Sequence, residues 1–345
     1  MTARRMTSEA GSDGAGNRLM SDGAGPRITI EQRGPDCGLR LSGHVRDEKF
    51  LRYCPVYAEA MLRVKPPWSA SVRQLDERDR DAVIAICDRD PVTNVFVSSR
   101  VRSLGLEPGR LGAQLWGHAP GGRLESLCYS GANLVPVAAT PDAIAAFADR
   151  ALRQGRRCSS VVGQAAEVQA LWALLRPHWG PAREVRPVQP VMVTPGPPLV
   201  PPDPLVRRVR PNEIDILWPA CVAMFTEEVG VSPVTGDGGA SYRARLEQLI
   251  RSGRAFARID DGQVIFKAEI GAVTPQVCQV QGVWVRPQSR GQGLAAPGMA
   301  TVVVEAARSI APLVSLYVND FNAPARAAYR RVGFTETGRL MSVLF

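Results

Sequence analysis

Apolar residues recur along this 345-residue chain at the spacings of short alternating helices and strands. After residue 72, the run Leu75–Asp79 places acidic residues ahead of apolar positions three and four apart, which predicts a helix to about Cys87. Thr140-Pro141 is typical of the N-cap and first residue of a later helix. The pattern predicts strands at 114–117, 124–130, 133–137 and 159–162 and helices at 142–154 and 165–175.

A similar order is predicted after residue 205. Apolar residues between Ile214 and Phe225 form one stripe of a helix, for which Asn212 is the expected N-cap. The later elements are a helix at 241–251, a hairpin at 255–259 and 264–273 with its turn at Asp260–Gly262, a strand at 277–285 and a helix to about 310.

Six of the eleven residues at 195–205 are proline, which is typical of a stiff extended connector. We therefore predict a mixed α/β fold, with the mixed sheet of an α+β protein, in two similar domains. They span residues 67–194 and 206–345, joined by the linker 195–205.

The first 66 residues lack this pattern, and we expect a disordered or poorly ordered extension there, apart from a short strand at Ile28–Ile30. A well-patterned segment follows Met61 at once, so we hypothesise that translation begins at Met61. Residues 1–26 contain no apolar core of signal-peptide type, and the chain has no apolar run of membrane-spanning length. A cytoplasmic protein without a membrane span is the expectation.

The excess of basic over acidic residues bears on which kinds of ligand the protein binds. The formal charge is +9, but the arginines are scattered and form no block, which argues against nucleic acid and leaves a small anionic ligand open. Seven cysteines without a CxxC pair and three isolated histidines argue against a disulfide scaffold, a metal site and a histidine triad.

The segment Arg286–Ala295 carries a candidate anion site. A strand that leads through glycines into a helix places free backbone N–H groups and the positive end of the helix dipole together, although an ordinary strand-to-helix turn has the same pattern. A P-loop is excluded because no Gly-Lys-Ser/Thr follows. A dinucleotide site is excluded because the third glycine and its later acidic residue are missing.

Two motifs carry a family resemblance. Gln288-x-x-Gly291-x-Gly293 is followed, some thirty residues later, by a series that reads Asn322, Ala325, Tyr329, Gly333 and Phe334. This pair of motifs resembles the GNAT superfamily of acetyl-CoA-dependent N-acetyltransferases over about residues 206–345. The arrangement is similar to tandem members of actinobacterial type, in which a degenerate N-terminal half precedes an intact one.

The resemblance implies acetyl-CoA as cosubstrate, no metal, and a role for each matching residue. Backbone groups of Val283 and Val285 would bind the pantetheine arm, with Asn322 also hydrogen-bonding that arm. Tyr329 would be the general acid towards the leaving thiolate. The diphosphate would be held by the loop residues Gln288, Arg290, Gly291, Gln292, Gly293 and Leu294.

The general base departs from the family pattern. Many members carry a Glu on the strand that here has Gln279 and Gln281, so Glu269 in the preceding strand is the best substitute. Glu227 and Glu228 follow the first helix of this half and would attract a cationic acceptor amine. The alternatives without function are a solvent-exposed strand residue for Glu269 and a solvent-exposed pair for Glu227 and Glu228. Gly282 is the expected β-bulge.

Three further expectations complete the sequence picture. Pro297 lies in the first turns of the helix after the loop, where it delays or kinks the helix start. The N-terminal domain has Ala138–Asp142 in place of a glycine loop, with an acidic residue that would repel phosphate, so we expect no catalysis there. The expected function is acetyl transfer to a small-molecule or peptide amine; an acyl-CoA sensor with little catalysis is the alternative, and the oligomeric state stays open.

Overall fold

The computed structural model describes residues 71–345. The extension at 1–66, its strand at Ile28–Ile30 and the start at Met61 lie outside the described residues. The helices are α1 (Arg80–Cys87), α2 (Val95–Leu104), α3 (Pro108–Leu111), α4 (Pro141–Gln154), α5 (Ala165–Trp179), α6 (Ile214–Val229), α7 (Ala240–Arg251), α8 (Ala295–Ser309) and α9 (Ala323–Val332).

The strands of the described chain form one mixed sheet of twelve. They are β1 (Val72–Gln74), β2 (Gln114–His118), β3 (Ser126–Ser130), β4 (Asn133–Val137), β5 (Ser160–Gln164), β6 (Glu184–Thr194), β7 (Arg207–Arg208), β8 (Ala255–Asp260), β9 (Gln263–Val273), β10 (Val277–Val285), β11 (Leu313–Tyr317) and β12 (Thr335–Leu344). Their order across the sheet is β1-β2-β3-β4-β5-β12-β6-β11-β10-β9-β8-β7.

This order reveals two halves that exchange their last strands. Each half supplies six strands in the same succession, β1–β6 and β7–β12. The sixth strand of each half pairs with the fifth strand of the other, because β12 lies against β5 and β6 lies against β11. The two exchanged strands pair with each other in the middle of the sheet, from Thr335↔Val193 to Leu344↔Glu184. The halves therefore share backbone hydrogen bonds that neither could form alone.

Helices cover both faces of the sheet in each half, which gives three layers. In the N-terminal half, α4 and α5 bury one apolar cluster, and α1, α2 and α3 bury another. In the C-terminal half, α8 and α9 pack on one face, around Phe266 and Met299. Helices α6 and α7 pack on the opposite face, around Leu217 and Leu246.

The proline-rich segment lies against the C-terminal half. The Asp203 N–H donates to the carbonyl of Pro297 at 3.1 Å, and the Thr301 hydroxyl donates to the carbonyl of Asp203 at 2.8 Å. These bonds fasten the segment to the first turns of α8. The segment connects two halves that are already joined through the sheet.

Local chemistry explains most helix starts. Thr140 is the N-cap of α4, as predicted, and its hydroxyl accepts from the Ala143 N–H at 3.3 Å. The expected cap at Asn212 is wrong: Asn212 lies inside a 3₁₀ turn at Pro211–Glu213, and α6 begins after it at Ile214. Within residues 71–345, no helix has both the length and the apolar content to cross a membrane.

The N-terminal half closes its potential anion site with its own side chain. The turn between β4 and α4 contains no glycine, and the Ala139 N–H donates to Oε1 of Glu167 at 3.1 Å. Oε2 of Glu167 is buried without a hydrogen-bond partner among the described residues. Burial, opposed by that N–H bond, raises the pKa of Glu167 to about 7. The Glu167 carboxyl group thus already accepts from the Ala139 N–H, the donor that an external anion would need.

We expect the stability of this half to fall as pH rises through the titration of Glu167. The pKa of Glu167 is higher in the folded than in the unfolded chain, so its protonated form contributes fully to stability below pH 4.5, the ordinary glutamate pKa. This contribution is lost as the pH rises from there through about 7. Glu167→Gln removes the titration and keeps an acceptor for Ala139. Between pH 4.5 and pH 8 the free energy of unfolding of the wild type should fall by at most about 3 kcal/mol relative to that of the variant. Thermal unfolding of both proteins from pH 4.5 to 8 measures this; a constant difference between the midpoints would contradict it.

Candidate active site

A fork between two parallel strands opens the sheet in the C-terminal half. Strands β10 and β11 pair only from Val277↔Leu313 to Gln279↔Ser315. Beyond Gln279 the two strands diverge, and the residues after the last pair line a cleft of about 910 Å³. Backbone groups of the separated strand edges therefore face a space large enough for an extended ligand arm.

Gly282 forms the expected β-bulge on the wall of this cleft. Between Gln281↔Glu269 and Trp284↔Lys267, strand β10 has one residue more than β9. Gly282 adopts a φ of 60°, and a Cβ there would lie 3.1 Å from Cε of Met224 and 3.2 Å from Nζ of Lys267. The positive φ and the close neighbours make Gly282 the residue best suited to the apex of this bulge.

The glycine loop supplies free backbone donors at one end of the cleft. Gly291 and Gly293 both have a φ of 78° with open space where a Cβ would stand. The N–H groups of Gly291 to Leu294 have no hydrogen-bond partner within residues 71–345. Helix α8 begins directly afterwards at Ala295, so its positive end adds to the donors. The geometry is that of an anion site.

Pro297 fits this helix start without a kink. It is the third residue of α8, where its missing N–H is not needed, and the Gly298 N–H already donates to the carbonyl of Leu294 at 3.1 Å. A Cβ on Gly298 would lie 2.9 Å from the ring of Phe266. The helix therefore starts at Ala295 and packs closely on β9.

Arg290 is the basic side chain of the loop that reaches the cleft. Its Nη2 donates to Oε2 of Glu227 at 2.7 Å, and its Nε donates to the carbonyl of Val285 at 3.0 Å. Both side chains of this ion pair are about half exposed. The side chains of Gln288 and Gln292 lie outside the cleft wall, where Nε2 of Gln292 donates to the carbonyl of Gln288.

Tyr329 and Asn322 stand on the β11 side of the fork. Asn322 caps α9, and its Oδ1 accepts from the Ala325 N–H at 3.2 Å. The Tyr329 ring packs beside Phe334, and its hydroxyl makes no hydrogen bond within residues 71–345. Burial, reinforced by the charge of Glu228, raises the pKa of Tyr329 above that of a free phenol. The phenol is therefore protonated at neutral pH.

The three acidic residues singled out from the sequence occupy different positions. Glu227 and Glu228 line the cleft, whereas Glu269 lies under the bulge and does not. Nζ of Lys267 donates to Oε1 of Glu269 at 2.7 Å and to the carbonyl of Gly282 at 3.0 Å. Burial by itself acts to lower the pKa of Lys267, but the neighbouring Glu269 and Cys221 side chains together outweigh it and raise that pKa. The Lys267–Glu269 pair is thus a charged pair in the core beneath the cleft.

Glu228 is held on one oxygen and open on the other. Nη1 of Arg186 and Nδ2 of Asn319 donate to its Oε1 at 2.8 and 3.0 Å. Oε2 has no hydrogen-bond partner among residues 71–345. Glu227, by contrast, uses both oxygens, because Nε1 of Trp284 donates to Oε1 at 3.2 Å while Arg290 holds Oε2.

Sequence reasoning missed the partners of these carboxylates. Lys267, Arg186 and Asn319 belong to none of the motifs, and Arg186 lies on an unpredicted strand more than forty residues before Glu228. One signal was available, since Lys267 and Glu269 are charged residues two apart inside an apolar strand and so lie on the same face. The contact of Arg186 with Glu228 depends on the strand exchange, because Arg186 lies on β6.

Comparisons with known proteins agree with this architecture. Residues 226–334 match the model of the acetyltransferase (GNAT) family, and residues 113–217 match a domain of unknown function, DUF4081. No curated protein matches the sequence of the chain.

Several solved structures resemble the fold. A Drosophila protein is 15% identical over 80% of this chain and 98% of its own, with a TM-score of 0.58. A GCN5-related N-acetyltransferase from Sphaerobacter thermophilus is 17% identical over 79% and 95%, with a TM-score of 0.50. A tandem GNAT protein from the clavulanic acid biosynthesis pathway is 16% identical over 79% and 98%, with a TM-score of 0.48.

The forked strands, the glycine loop and the family match concern the same stretch of chain. Residues 226–334 contain β10, the loop, α8, β11 and α9, and so every residue of the cleft wall except Met224. Residues 226–334 match the acetyltransferase (GNAT) family, a family of acyltransferases, and the chain has a tandem GNAT-like fold whose two halves share one sheet.

Proposed function

We propose that this chain transfers an acetyl group from acetyl-CoA to an amine of a small molecule or peptide. One observation carries the proposal: a single cleft connects four free N–H groups at Gly291–Leu294 with the buried phenol of Tyr329. Donors for a diphosphate at one end and a proton donor at the other match the two ends of a thioester of coenzyme A. The strand edges between them suit the amides of the pantetheine arm.

The residues of the fork have distinct parts in binding. Backbone groups of Val283 and Val285 on β10 bind the pantetheine amides, and Asn322 binds the same arm from the α9 side. The loop N–H groups and Arg290 bind the diphosphate. Gln288 and Gln292 do not line the cleft, and their part is to shape the loop. Arg290 must leave Glu227 to bind a phosphate, so coenzyme binding breaks that ion pair.

The reaction is a direct attack on the thioester, with no covalent enzyme intermediate. The amine nitrogen forms a bond to the acetyl carbonyl carbon, and the bond from that carbon to sulfur breaks with its electron pair going to sulfur. A carboxylate takes one proton from the ammonium group before the attack, and Tyr329 gives its proton to the leaving thiolate. The second nitrogen proton leaves the tetrahedral intermediate and restores the phenol of Tyr329. Backbone donors freed at the Gly282 bulge stabilise the oxyanion.

Two carboxylates compete for the role of base. Glu269, favoured by the sequence pattern, lies beneath Gly282 with its charge matched by Lys267. Glu228 lines the cleft, is anchored through Oε1 and has Oε2 open. An ammonium group that approaches the thioester meets this open oxygen. We therefore assign the base role to Glu228, and the Lys267–Glu269 pair supports the bulge.

A second candidate function is an acyl-CoA sensor with little catalysis. The observation that favours it is that each of the three carboxylates has a basic partner, Arg290, Arg186 or Lys267. Turnover separates the two functions. Acetyl-CoA is incubated with polyamines, aminosugars, amino-acid amides and arylalkylamines, and CoA release and product mass are followed. Binding of CoA in calorimetry without any acetylated product would favour the sensor; absence of CoA binding at millimolar concentration would contradict both.

We expect Tyr329→Phe to lower kcat for acetyl transfer by about 10²-fold, because it removes the proton donor to the thiolate. The affinity for CoA should change less than twofold, since the ring stays in place. Tyr317→Phe is the matched control, as Tyr317 also lines the cleft. Steady-state kinetics and calorimetry measure both effects; an unaltered kcat in the Tyr329 variant would remove it from the mechanism.

We expect Glu228→Gln to lower kcat/KM for a primary amine by about 10²-fold but to spare transfer to hydroxylamine. Hydroxylamine is a weaker base, is largely unprotonated at neutral pH and needs no proton removed before attack. Glu269→Gln should instead destabilise the fold by about 3 to 5 kcal/mol, because it leaves Lys267 charged and unpaired. Paired rates for the two nucleophiles distinguish these roles. A selective loss of amine transfer in folded Glu269→Gln would return the base role to Glu269.

We expect Glu227→Gln to bind CoA about two- to fivefold more tightly, because Arg290 no longer has to leave an ion pair worth up to about 1 kcal/mol. Glu228→Gln is the control, since it removes the same charge one residue away without touching Arg290. Titration calorimetry with CoA measures both, and the gain should vanish in an Arg290→Gln background. Equal gains in CoA affinity in the two glutamate variants would contradict this prediction, because they would show that only the removal of a negative charge near the cleft matters.

A further inference from the structure

A row of buried polar side chains runs from the middle of the sheet to the cleft. Its members are Ser342 on β12, Gln189 on β6 and Asn319 after β11, which are 6%, 2% and 5% exposed. The row ends at Glu228 on the cleft wall. Buried amides in an apolar core are costly unless they are hydrogen-bonded, so the row needs an explanation.

Each member of the row bonds to the next. The Ser342 hydroxyl donates to Oε1 of Gln189 at 2.6 Å, and Nε2 of Gln189 donates to Oδ1 of Asn319 at 2.8 Å. Nδ2 of Asn319 then donates to Oε1 of Glu228 at 3.0 Å. Every bond points towards the carboxylate.

The carboxylate itself sets this direction. An ionised Glu228 only accepts, so Asn319 must turn its Nδ2 to Glu228 and its Oδ1 to Gln189. Gln189 must then donate through Nε2, which leaves its Oε1 for a hydroxyl, and Ser342 supplies one. A single orientation of both amides forms every bond of the row, so the row holds Glu228 in one place.

A bulge in β6 makes room for this arrangement. From Leu340↔Gln189 to Ser342↔Arg186, strand β6 advances three residues while β12 advances two. Side chains three apart on a regular strand point to opposite faces, but the extra residue returns Arg186 to the face of Gln189. Pro187, next to Arg186, is a residue tolerated at such a bulge.

Arg186 completes the clamp on Glu228. Its Nη1 donates to Oε1 of Glu228 at 2.8 Å, and its Nη2 donates to the backbone carbonyl of the same residue at 2.5 Å. Both Arg186 and Gln189 belong to the N-terminal half and reach the cleft only because β6 lies next to β11. The half without a glycine loop thus contributes one side chain that binds the cleft carboxylate, Arg186, and one that binds its other anchor Asn319, Gln189.

We propose that Gln189 is a positioning residue for acetyl transfer, acting through Asn319 to aim Glu228 at the acceptor amine. This inference rests on the proposed function, in which Glu228 takes the proton of the amine. Without the amide of Gln189, Asn319 has a buried oxygen with no donor and turns, and Glu228 loses one of its two anchors. The open Oε2 then no longer faces the amine in one fixed position.

The test compares two nucleophiles in variants of Gln189. Gln189→Met keeps the length of the side chain but has no amide, and Gln189→Glu keeps the shape but only accepts, which turns Asn319 away from its present orientation. Thr194→Val is the matched control, a buried polar residue on the same strand whose hydroxyl donates only to the Gly196 carbonyl at 3.4 Å. The donor is acetyl-CoA, and the acceptors are hydroxylamine and the primary amine of the tested set that the wild type acetylates fastest.

We expect kcat for the primary amine to fall about tenfold in both Gln189 variants, about 1.4 kcal/mol in the barrier. KM for acetyl-CoA should stay unchanged, and transfer to hydroxylamine should stay within twofold of the wild type. Thr194→Val should leave both rates unchanged. A role in folding alone would lower both rates together, and that result would overturn the proposal, as would an unaltered amine rate.

Two further variants keep the outcome clear. Ser342→Ala removes only the far end of the row and is the variant to use if both Gln189 variants fail to fold. A loss of amine transfer relative to hydroxylamine transfer of about two- to threefold in this variant supports the proposal. An unaltered ratio of the two rates overturns it. Glu228→Gln separates the inference from the function. If it loses amine transfer while the Gln189 variants do not, only the positioning role fails. If it keeps amine transfer, the base assignment fails and the positioning role with it.

Discussion

The antiparallel pairing of β6 with β12 is the constraint on which the rest of this structure depends. It joins the halves by a ladder in the middle of the sheet, from Thr335↔Val193 to Leu344↔Glu184. Each of these strands also completes the sheet of the opposite half. The cleft of the C-terminal half therefore has a neighbouring strand that is encoded before the linker, and its carboxylate is anchored by a residue from that strand.

The two halves have the same succession of strands, but they differ in whether the backbone N–H groups of the corresponding turns are free. After β10 the chain offers free N–H groups at Gly291–Leu294, whereas after β4 the Ala139 N–H is already bound by Glu167. A helix start attracts an anion in both cases. In one half those donors are open to a ligand, and in the other a carboxyl side chain already accepts from one of them.

The sequence predicted the parts of this fold that depend on local chemistry. Thr140, the glycine loop and the β10 bulge at Gly282 follow from capping, backbone freedom and strand pattern, and each lies where expected. Strand β6 was missed because Pro187 and Pro190 interrupt its pattern, and proline normally argues against a strand with neighbours on both sides. The Arg186 anchor of Glu228 could not be predicted, since it depends on which strands become neighbours after the exchange.

Charge around the cleft links the proposed acid to the proposed base. Glu228 carries its negative charge near Tyr329, and that charge adds to burial in raising the pKa of the phenol. A phenol with a raised pKa keeps its proton until a strong base forms beside it, and in the proposed reaction that base is the departing thiolate. When Glu228 takes a proton from the amine its charge disappears, so the phenol becomes more acidic during the same reaction. In the proposed reaction the two proton transfers therefore favour each other through this charge.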